Sequence, residues 1–362
     1  MTHVFWDITA RCNACCRYCS AAESMGRTEW TEPNLELVVA TLDHLKTAGV
    51  DSIILLGGEP TLRVDLAEII GEALKRGLRV GIATNGLAMA EPLRRALQES
   101  SDLSVNFSLD SFFAEENDAV RGSGYYAACV RNLKVLLAER KSSGSQVKIT
   151  MQVTLTVNNF ERLGESLLRL CDLGVDSILI DRMRSWPWQS SEIKALALKP
   201  REWIIATGRV ARAAMRLSDP SRLRVNFGHA RLKAALTERY GYPIYPAQFC
   251  PAGLEAAVID FSGNIHPCRM AVERPVPVRA DGTPYYEIRP FNIRSPEAGK
   301  FMRSAYMVDF YNFAHSARVY EGLTLCRDCP HYENCDPCPL DVVTFGDRVL
   351  AECRAIEEGC EP

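Results

Sequence analysis

Cys12, Cys16 and Cys19 are spaced Cys-x₃-Cys-x₂-Cys, and three thiolates on one short loop can hold three irons of a [4Fe–4S] cube. Such a cube usually has four cysteines, so this spacing leaves one iron open to a small molecule. Cys15 stands in the same loop and gives the reverse spacing with Cys12 and Cys19; we assign it as a non-ligand. Four neighbouring cysteines would also suit tetrahedral zinc, which would leave the motifs downstream unexplained.

Those motifs follow at regular intervals. Gly57-Gly58-Glu59-Pro60 comes after an apolar run, with glycines that allow close backbone approach and a carboxylate that can meet an ammonium group. Thr84-Asn85-Gly86 and Ser108-Leu109-Asp110 come after the next two β-branched runs. A second cysteine set lies at the other end: Cys250 and Cys268, then Cys326-x₂-Cys329-x₅-Cys335-x₂-Cys338, then Cys353 and Cys360. Of 14 cysteines, four fall within residues 12–19 and six beyond residue 325, a clustering that reads as metal or iron–sulfur ligation. Cys129 and Cys171 sit in apolar helical patterns and read as core residues.

Positioning these groups requires strands that end on one rim. Strand-like runs at Val4–Thr9, Ser52–Leu56, Arg79–Thr84, Leu103–Leu109, Val147–Thr156 and Ser177–Asp181 alternate with helical patterns at Leu35–Thr47, Leu66–Arg76, Glu91–Glu99, Ala127–Arg140 and Phe160–Leu173. Gly49 and Gly174 each end a helix just before a strand. Strict alternation predicts an α/β fold with a parallel sheet, and six units fit a partial (β/α)₆ barrel rather than a closed eight-unit one. Active groups in such barrels collect at the carboxyl ends of the strands, where every motif above falls.

The tyrosine before the last cysteine of the loop (Tyr18-Cys19), the Cys-x₃-Cys-x₂-Cys spacing and the Gly-Gly-Glu-Pro turn together resemble the radical S-adenosylmethionine (radical SAM) superfamily. The resemblance implies the partial barrel. It also implies that SAM chelates the open iron and is cleaved reductively to a 5′-deoxyadenosyl radical that abstracts a substrate hydrogen. By the same resemblance, Gly57, Gly58, Glu59 and Pro60 hold the methionine end of SAM. Ser108 and Asp110 would lie by the ribose, Arg121 would pair with the SAM carboxylate, and Tyr18 would lie near adenine.

The C-terminal cysteines resemble the SPASM extension, which carries two auxiliary [4Fe–4S] clusters. Carried over, Cys326, Cys329, Cys335 and Cys353 would complete one cluster; Cys250, Cys268 and Cys338 would hold the other. Its fourth position is unassigned: no cysteine occurs between Pro251 and Pro267, and His266 or an open iron are the alternatives, with Cys360 a weaker one. The two-residue gap before Cys338 departs from the usual three. Zinc ribbons also use paired Cys-x₂-Cys knuckles.

The domain reading is a barrel over residues 1–183, a helical connector over 184–245 and a SPASM-like auxiliary-cluster domain over 246–362. The connector shows helical patterns at Trp203–Leu217 and Ala230–Arg239, and from Lys199 to Arg239 it has ten Lys/Arg against three Asp/Glu. Arg209, Arg212 and Arg216 share one helical face there, read as a solvated face or as a surface for an acidic substrate or leader peptide. Trp186-Pro-Trp188, just past the sixth strand, would lie near the barrel mouth, as would Asp181 and Arg182; no general base is assigned.

Net charge of −3 argues against a dedicated nucleic-acid binder. No apolar stretch reaches the ~18 residues of a membrane span, and no signal-peptide pattern opens the chain, which reads as cytoplasmic. Members with the SPASM extension modify peptides or oxidise small aminocyclitol or sugar-like alcohols. The expected function is oxidative modification of a ribosomally made peptide, with dehydrogenation of a small natural-product intermediate as the alternative. A reducing partner such as flavodoxin or ferredoxin is implied. In formylglycine-forming relatives an aspartate follows the cysteine equivalent to Cys268; Arg269 here counts against sulfatase maturation. The chain starts close to the first strand, leaving no room for an N-terminal peptide-recognition domain, which shifts weight towards small molecules.

Overall fold

The computed structural model describes the chain except residues 1, 20, 21, 23–29, 186–188, 226–228, 243–249, 274, 275, 280, 317–322, 324, 327, 328, 332–334, 336 and 337. Trp186-Pro-Trp188, expected near the barrel mouth, therefore lies outside the described residues.

Six parallel strands with intervening helices form the first half: β1 (His3–Thr9), α1 (Leu35–Thr47), β2 (Ser52–Gly57), α2 (Leu66–Lys75), β3 (Arg79–Thr84), α3 (Glu91–Leu97), β4 (Leu103–Ser108), α4 (Ala114–Arg121), α5 (Tyr125–Ser143), β5 (Lys148–Leu155), α6 (Leu163–Asp172) and β6 (Ser177–Arg182). The six strands fall where the β-branched runs predict. Helix α4 is a correction, because the sequence reading gave residues 114–121 no element. Its sequence, AEENDAVR, is too short and polar to show an apolar period, and it is instead fixed through buried Asn117, whose Oδ1 accepts from the Asp110 amide at 3.0 Å.

Alternation along β3 to β6 sorts their side chains by face. Val80 and Ile82, Val105 and Phe107, Ile149, Met151 and Val153, and Ile178 and Ile180 are buried and share one core with Leu42, Ile69, Leu133 and Leu167 of the flanking helices. The opposite face is polar, carrying Ser104, Asn106 and Ser108 on β4 and Thr150, Gln152 and Thr154 on β5. Asn106 there donates to Gln152 at 3.2 Å while its own Oδ1 is buried without a partner.

Beyond Arg182 come α7 (Ser191–Lys194), α8 (Pro200–Ala214), β7 (Leu223–Val225), α9 (Ala230–Tyr240), β8 (Ala256–Ile259), β9 (Asn264–His266), α10 (Arg269–Glu273), β10 (Phe291–Asn292), α11 (Ala305–Ala314), α12 (Pro339–Phe345) and α13 (Ala351–Glu357). The connector is not purely helical: β7 pairs parallel with β6 through Leu223 opposite Ile178. Strand β8 pairs parallel with β1, His3 opposite Ala256. The described sheet thus runs β10-β9-β8-β1-β2-β3-β4-β5-β6-β7, crossing both expected domain boundaries. A second, aromatic core under the cysteine segment holds Tyr286, Tyr306, Phe310 and Phe313, with Cys250, Cys268, Cys326 and Cys338 packed against it. On α8, Arg209 binds Glu161 at 2.9 Å and Arg212 donates to the Tyr240 hydroxyl at 2.7 Å, so both are engaged within the fold.

Candidate functional site

The cysteine loop leaves the carboxyl end of β1 and is clamped by the next strand end. Gly58 and Glu59 donate their amides to Thr9 and Arg11 carbonyls, both at 2.7 Å. A Cβ on Gly57 would lie 2.4 Å from the Thr9 carbonyl oxygen, and one on Gly58 would lie 2.2 Å from that of Arg11. Gly57 also has φ +127°, which favours glycine. The two glycines are therefore required by the approach of the cysteine loop itself.

Glu59 is buried, and its carboxylate is held by four donors. Oε1 accepts from the Thr61 amide (3.0 Å), the Thr61 hydroxyl (2.7 Å) and the Thr84 hydroxyl (2.7 Å), while Oε2 accepts from the Asn85 amide (2.6 Å). Burial pushes its pKa up, and these donors pull it back only in part. Asn85 continues the lock by donating from Nδ2 to Asn13 Oδ1 at 2.7 Å, inside the cysteine loop. Oε2, with one donor, retains acceptor capacity. Pro60 opens a short 3₁₀ turn over Pro60–Leu62.

A second lock comes from β4. Asp110 and Arg121 are both buried and form a bidentate ion pair, Nε to Oδ2 at 2.8 Å and Nη2 to Oδ1 at 2.9 Å. The Tyr18 hydroxyl donates to Asp110 Oδ2 at 2.5 Å and the Thr154 amide to Oδ1 at 2.9 Å. Arg121 Nη1 reaches the Tyr125 hydroxyl at 3.1 Å and Cys16 Sγ at 3.9 Å, and Tyr125 in turn donates to the Ser108 carbonyl at 2.9 Å. Burial works against the Arg121 charge, but Asp110 outweighs it and holds the guanidinium protonated. Sequence reasoning named Asp110 and Arg121 as ligand contacts; in the structure their charges face each other and anchor Tyr18. Tyr125, Asn117 and Thr154 were missed, since each acts through a hydrogen bond that no spacing signals.

Cys12, Cys16 and Cys19 are brought together in this frame. The Cys12 sulfur accepts from the Ala14 amide at 3.4 Å, and the Cys19 amide donates to the Cys16 carbonyl at 3.1 Å. Burial, with Cys19 and Cys12 beside it, pushes the Cys16 thiol up to about 11 although Arg121 opposes the shift. Iron would reverse that shift by binding the thiolate.

Seven of the C-terminal thiols lie in two groups. Cys326, Cys329, Cys335 and Cys353 line one cavity together with His229, Arg231, Leu325 and Leu350. Arg231 Nε is buried there without a partner, an N–H group that the sulfides of a cluster would satisfy, and the His229 ring lies against Cys335 and Cys353. The residues present fit an iron–sulfur group on that ground. Cys250, Cys268 and Cys338 form the other set: the Cys268 thiol is pushed up to about 12 by burial and by the other two sulfurs. Both ring nitrogens of His266 are engaged, Nε2 with Asp260 at 3.0 Å and Nδ1 with the Tyr306 hydroxyl at 3.3 Å. Cys360 packs against the barrel core rather than the aromatic one. Among the described residues, no group of three His, Cys, Asp or Glu closes around a single metal ion.

Besides the β1–β8 pairing, ion pairs join this segment to the barrel. Arg269 forks onto Asp7 of β1 at 2.5 and 2.6 Å. Arg182, ending β6, binds Glu352, whose Oε2 lies 3.2 Å from His229 Nε2. Although burial opposes it, His229 and Arg182 hold the Glu352 carboxyl down at about 2. No described helix is long and apolar enough to cross a membrane.

Similarity to known proteins agrees with this geometry. The chain is 28% identical over 273 residues to the mycofactocin maturase MftC of Mycobacterium ulcerans, covering 74% of this chain and 68% of the relative. It is 22% identical over 364 residues to the AdoMet-dependent heme synthase of Oleidesulfovibrio alaskensis, covering 96% and 85%. The alignment with the MftC of Mycolicibacterium smegmatis is shorter, 31% identical over 160 residues, covering 44% of this chain and 39% of that relative. In fold it matches Streptococcus suis SuiB bound to its precursor peptide SuiA, with a TM-score of 0.68 and 15% identity over 95% of this chain and 73% of that one. Residues 6–167 match the Radical SAM superfamily model, so this part of the chain is a radical SAM domain, followed by a SPASM-type cysteine segment.

Proposed function

We propose that this protein is a peptide maturase that oxidatively modifies a ribosomally made peptide, using SAM and three [4Fe–4S] clusters. The family brings SAM and a [4Fe–4S] cluster, which together supply a 5′-deoxyadenosyl radical. In this reading Cys12, Cys16 and Cys19 hold the SAM-site cluster and Cys15 does not. Cys326, Cys329, Cys335 and Cys353 hold one auxiliary cluster, and Cys250, Cys268 and Cys338 the other. Gly57, Gly58, Glu59, Pro60 and Ser108 face the bound SAM. Asp110 and Arg121 act by fixing Tyr18 and the loop.

The observation that carries the reading is the convergence on one rim of the Glu59–Asn85 lock, the Asp110–Arg121 pair and the cysteine loop. The residues do three things there: they orient the cofactor loop, exclude water from its inner side, and keep its amide and hydroxyl donors in fixed positions. The fold shared with a peptide-bound relative, and the maturase relative, support the peptide. A flavodoxin or ferredoxin would supply the electron, in the cytoplasm. The division at residues 183 and 245 is kept as a functional one, within a continuous sheet.

A small-molecule substrate is the second reading, favoured by the heme synthase relative, whose alignment covers 96% of this chain. The deciding experiment measures 5′-deoxyadenosine formed by anaerobically reconstituted enzyme with SAM, a reductant and size-fractionated extract of a host strain lacking this enzyme. Stimulation destroyed by protease supports the peptide. Protease-resistant stimulation in the small-molecule fraction overturns it.

A further inference from the structure

The four-thiol cavity is not built by the cysteine segment alone. Residues 229–231, which lead into the 11-residue helix α9, form part of its wall. The Ala230 amide donates to Cys335 Sγ at 3.5 Å, and Arg231 Nη2 donates to Cys329 Sγ at 3.7 Å. The His229 imidazole, 5% exposed, lies beside Cys335 and Cys353. The Nε of Arg231 is buried with no acceptor. Three consecutive residues therefore present an imidazole, a backbone amide and a guanidinium to one set of sulfurs, at the positive end of a helix.

The charges around them are arranged to keep those donors in place. Arg231 Nη1 is anchored by Glu357 at 2.7 Å, and His229 Nε2 by Glu352, which is itself tied to Arg182 at the barrel rim. Hydrogen bonds to sulfur stabilise the more negative, reduced state of a cluster, and hydrogen bonding to the sulfurs is one of the factors that set cluster potentials.

We propose that His229, Ala230 and Arg231 are the donor set of the auxiliary cluster held by Cys326, Cys329, Cys335 and Cys353, and that they raise its reduction potential. This rests on the cluster assignment made above. The residues are positioning residues: they bind no substrate, and they make this cluster a better electron acceptor.

The test is an EPR-monitored potentiometric titration of the chain carrying Cys12→Ala, Cys16→Ala and Cys19→Ala, which removes the SAM-site signal and leaves the cluster at Cys250, Cys268 and Cys338 as the internal reference whose midpoint should not move. Arg231→Met and His229→Leu are each expected to keep the iron content of the parent and to shift this cluster's midpoint to more negative potential, with a larger shift in the double variant. Arg231→Lys, which keeps a charged donor, is expected to shift it less. Arg239→Gln, at the far end of the same helix, is expected to leave it in place. Unmoved midpoints in fully loaded variants would overturn the inference while leaving the cluster assignment intact. Loss of iron in Arg231→Met and Arg231→Lys alike would make the residues part of the cage and also overturn it. A parent chain holding zinc or no iron at these cysteines would defeat the cluster assignment and the inference together.

Discussion

Arg121 lays its guanidinium on the Asp110 carboxylate in two nearly parallel hydrogen bonds of 2.8 and 2.9 Å, with both side chains buried. One end of this pair is covered by Tyr18 and the other by Thr154, so it fastens the cysteine loop to the β4 and β5 ends. Removing one partner leaves the other charge buried, which costs about 3–5 kcal/mol. Arg121→Met is therefore expected to lower stability by that amount in urea unfolding of the anaerobic protein. Arg121→Lys should recover less than half, since an ammonium cannot fork onto a carboxylate. A loss under about 1 kcal/mol would contradict a desolvated pair.

Gly58→Ala places a methyl group against the Arg11 carbonyl, and backbone cannot give way as a side chain can. The expected result is a loss of about 1–3 kcal/mol by overpacking, with iron falling by about one cluster per chain. Gly71→Ala, in α2 with open space around its Cβ, is the comparison and should gain about 0.5–1 kcal/mol with iron unchanged. Iron analysis and thermal melting separate the two. Full iron content in Gly58→Ala would refute the clamp.

The Asp7–Arg269 bridge gives a pH signature. Burial raises the Asp7 pKa above its ordinary value of 3.8; Arg269 opposes the shift, and Asp260 adds to it. A raised carboxyl contributes stability below its unfolded pKa that is lost as pH rises through the folded one. Arg269→Leu removes the opposing charge, so its destabilisation should be largest at neutral pH, about 3–5 kcal/mol, and shrink as pH falls. Asp7→Leu combined with Arg269→Leu should be milder than Arg269→Leu alone. A destabilisation that does not change with pH would show that Asp7 is not the stranded group.

Reconstituted protein is expected to bind about 12 irons per chain, four for each of three cubes. Alanine at Cys12, Cys16 and Cys19 together should remove about four, and alanine at Cys326, Cys329, Cys335 and Cys353 another four. Cys15→Ser should remove none. Iron lost on Cys15→Ser but kept on Cys16→Ser would reverse the spacing assigned to the loop.

Much of the frame was legible because its signals are local. Strand–helix alternation marks β1 to β6, and the rim motifs begin within three residues of the strand ends. What escaped depends on pairing across long stretches of chain. Helix α4 has no apolar period, yet it delivers Arg121 to Asp110. The three residues of β7 are too few to show alternation. His229 and Arg231 stand about a hundred residues from the thiols they face, in a stretch whose charge balance suggested a solvated face or a surface for an acidic substrate or leader peptide. Both glycines of Gly57-Gly58 were readable as close-approach residues; the partner they approach was not.

Strand β1 is flanked by β2 on one side and β8 on the other, so the first strand made waits for one of the last. Until Ala256–Ile259 emerges from the ribosome, β1 presents an unpaired edge, the kind of surface that recruits a foreign strand. Pairing partners so far apart in sequence also form late and slowly. The nascent barrel is thus most exposed to misassociation before its C-terminal cysteines have been made, and a chain cut short ahead of β8 would keep that exposure for good.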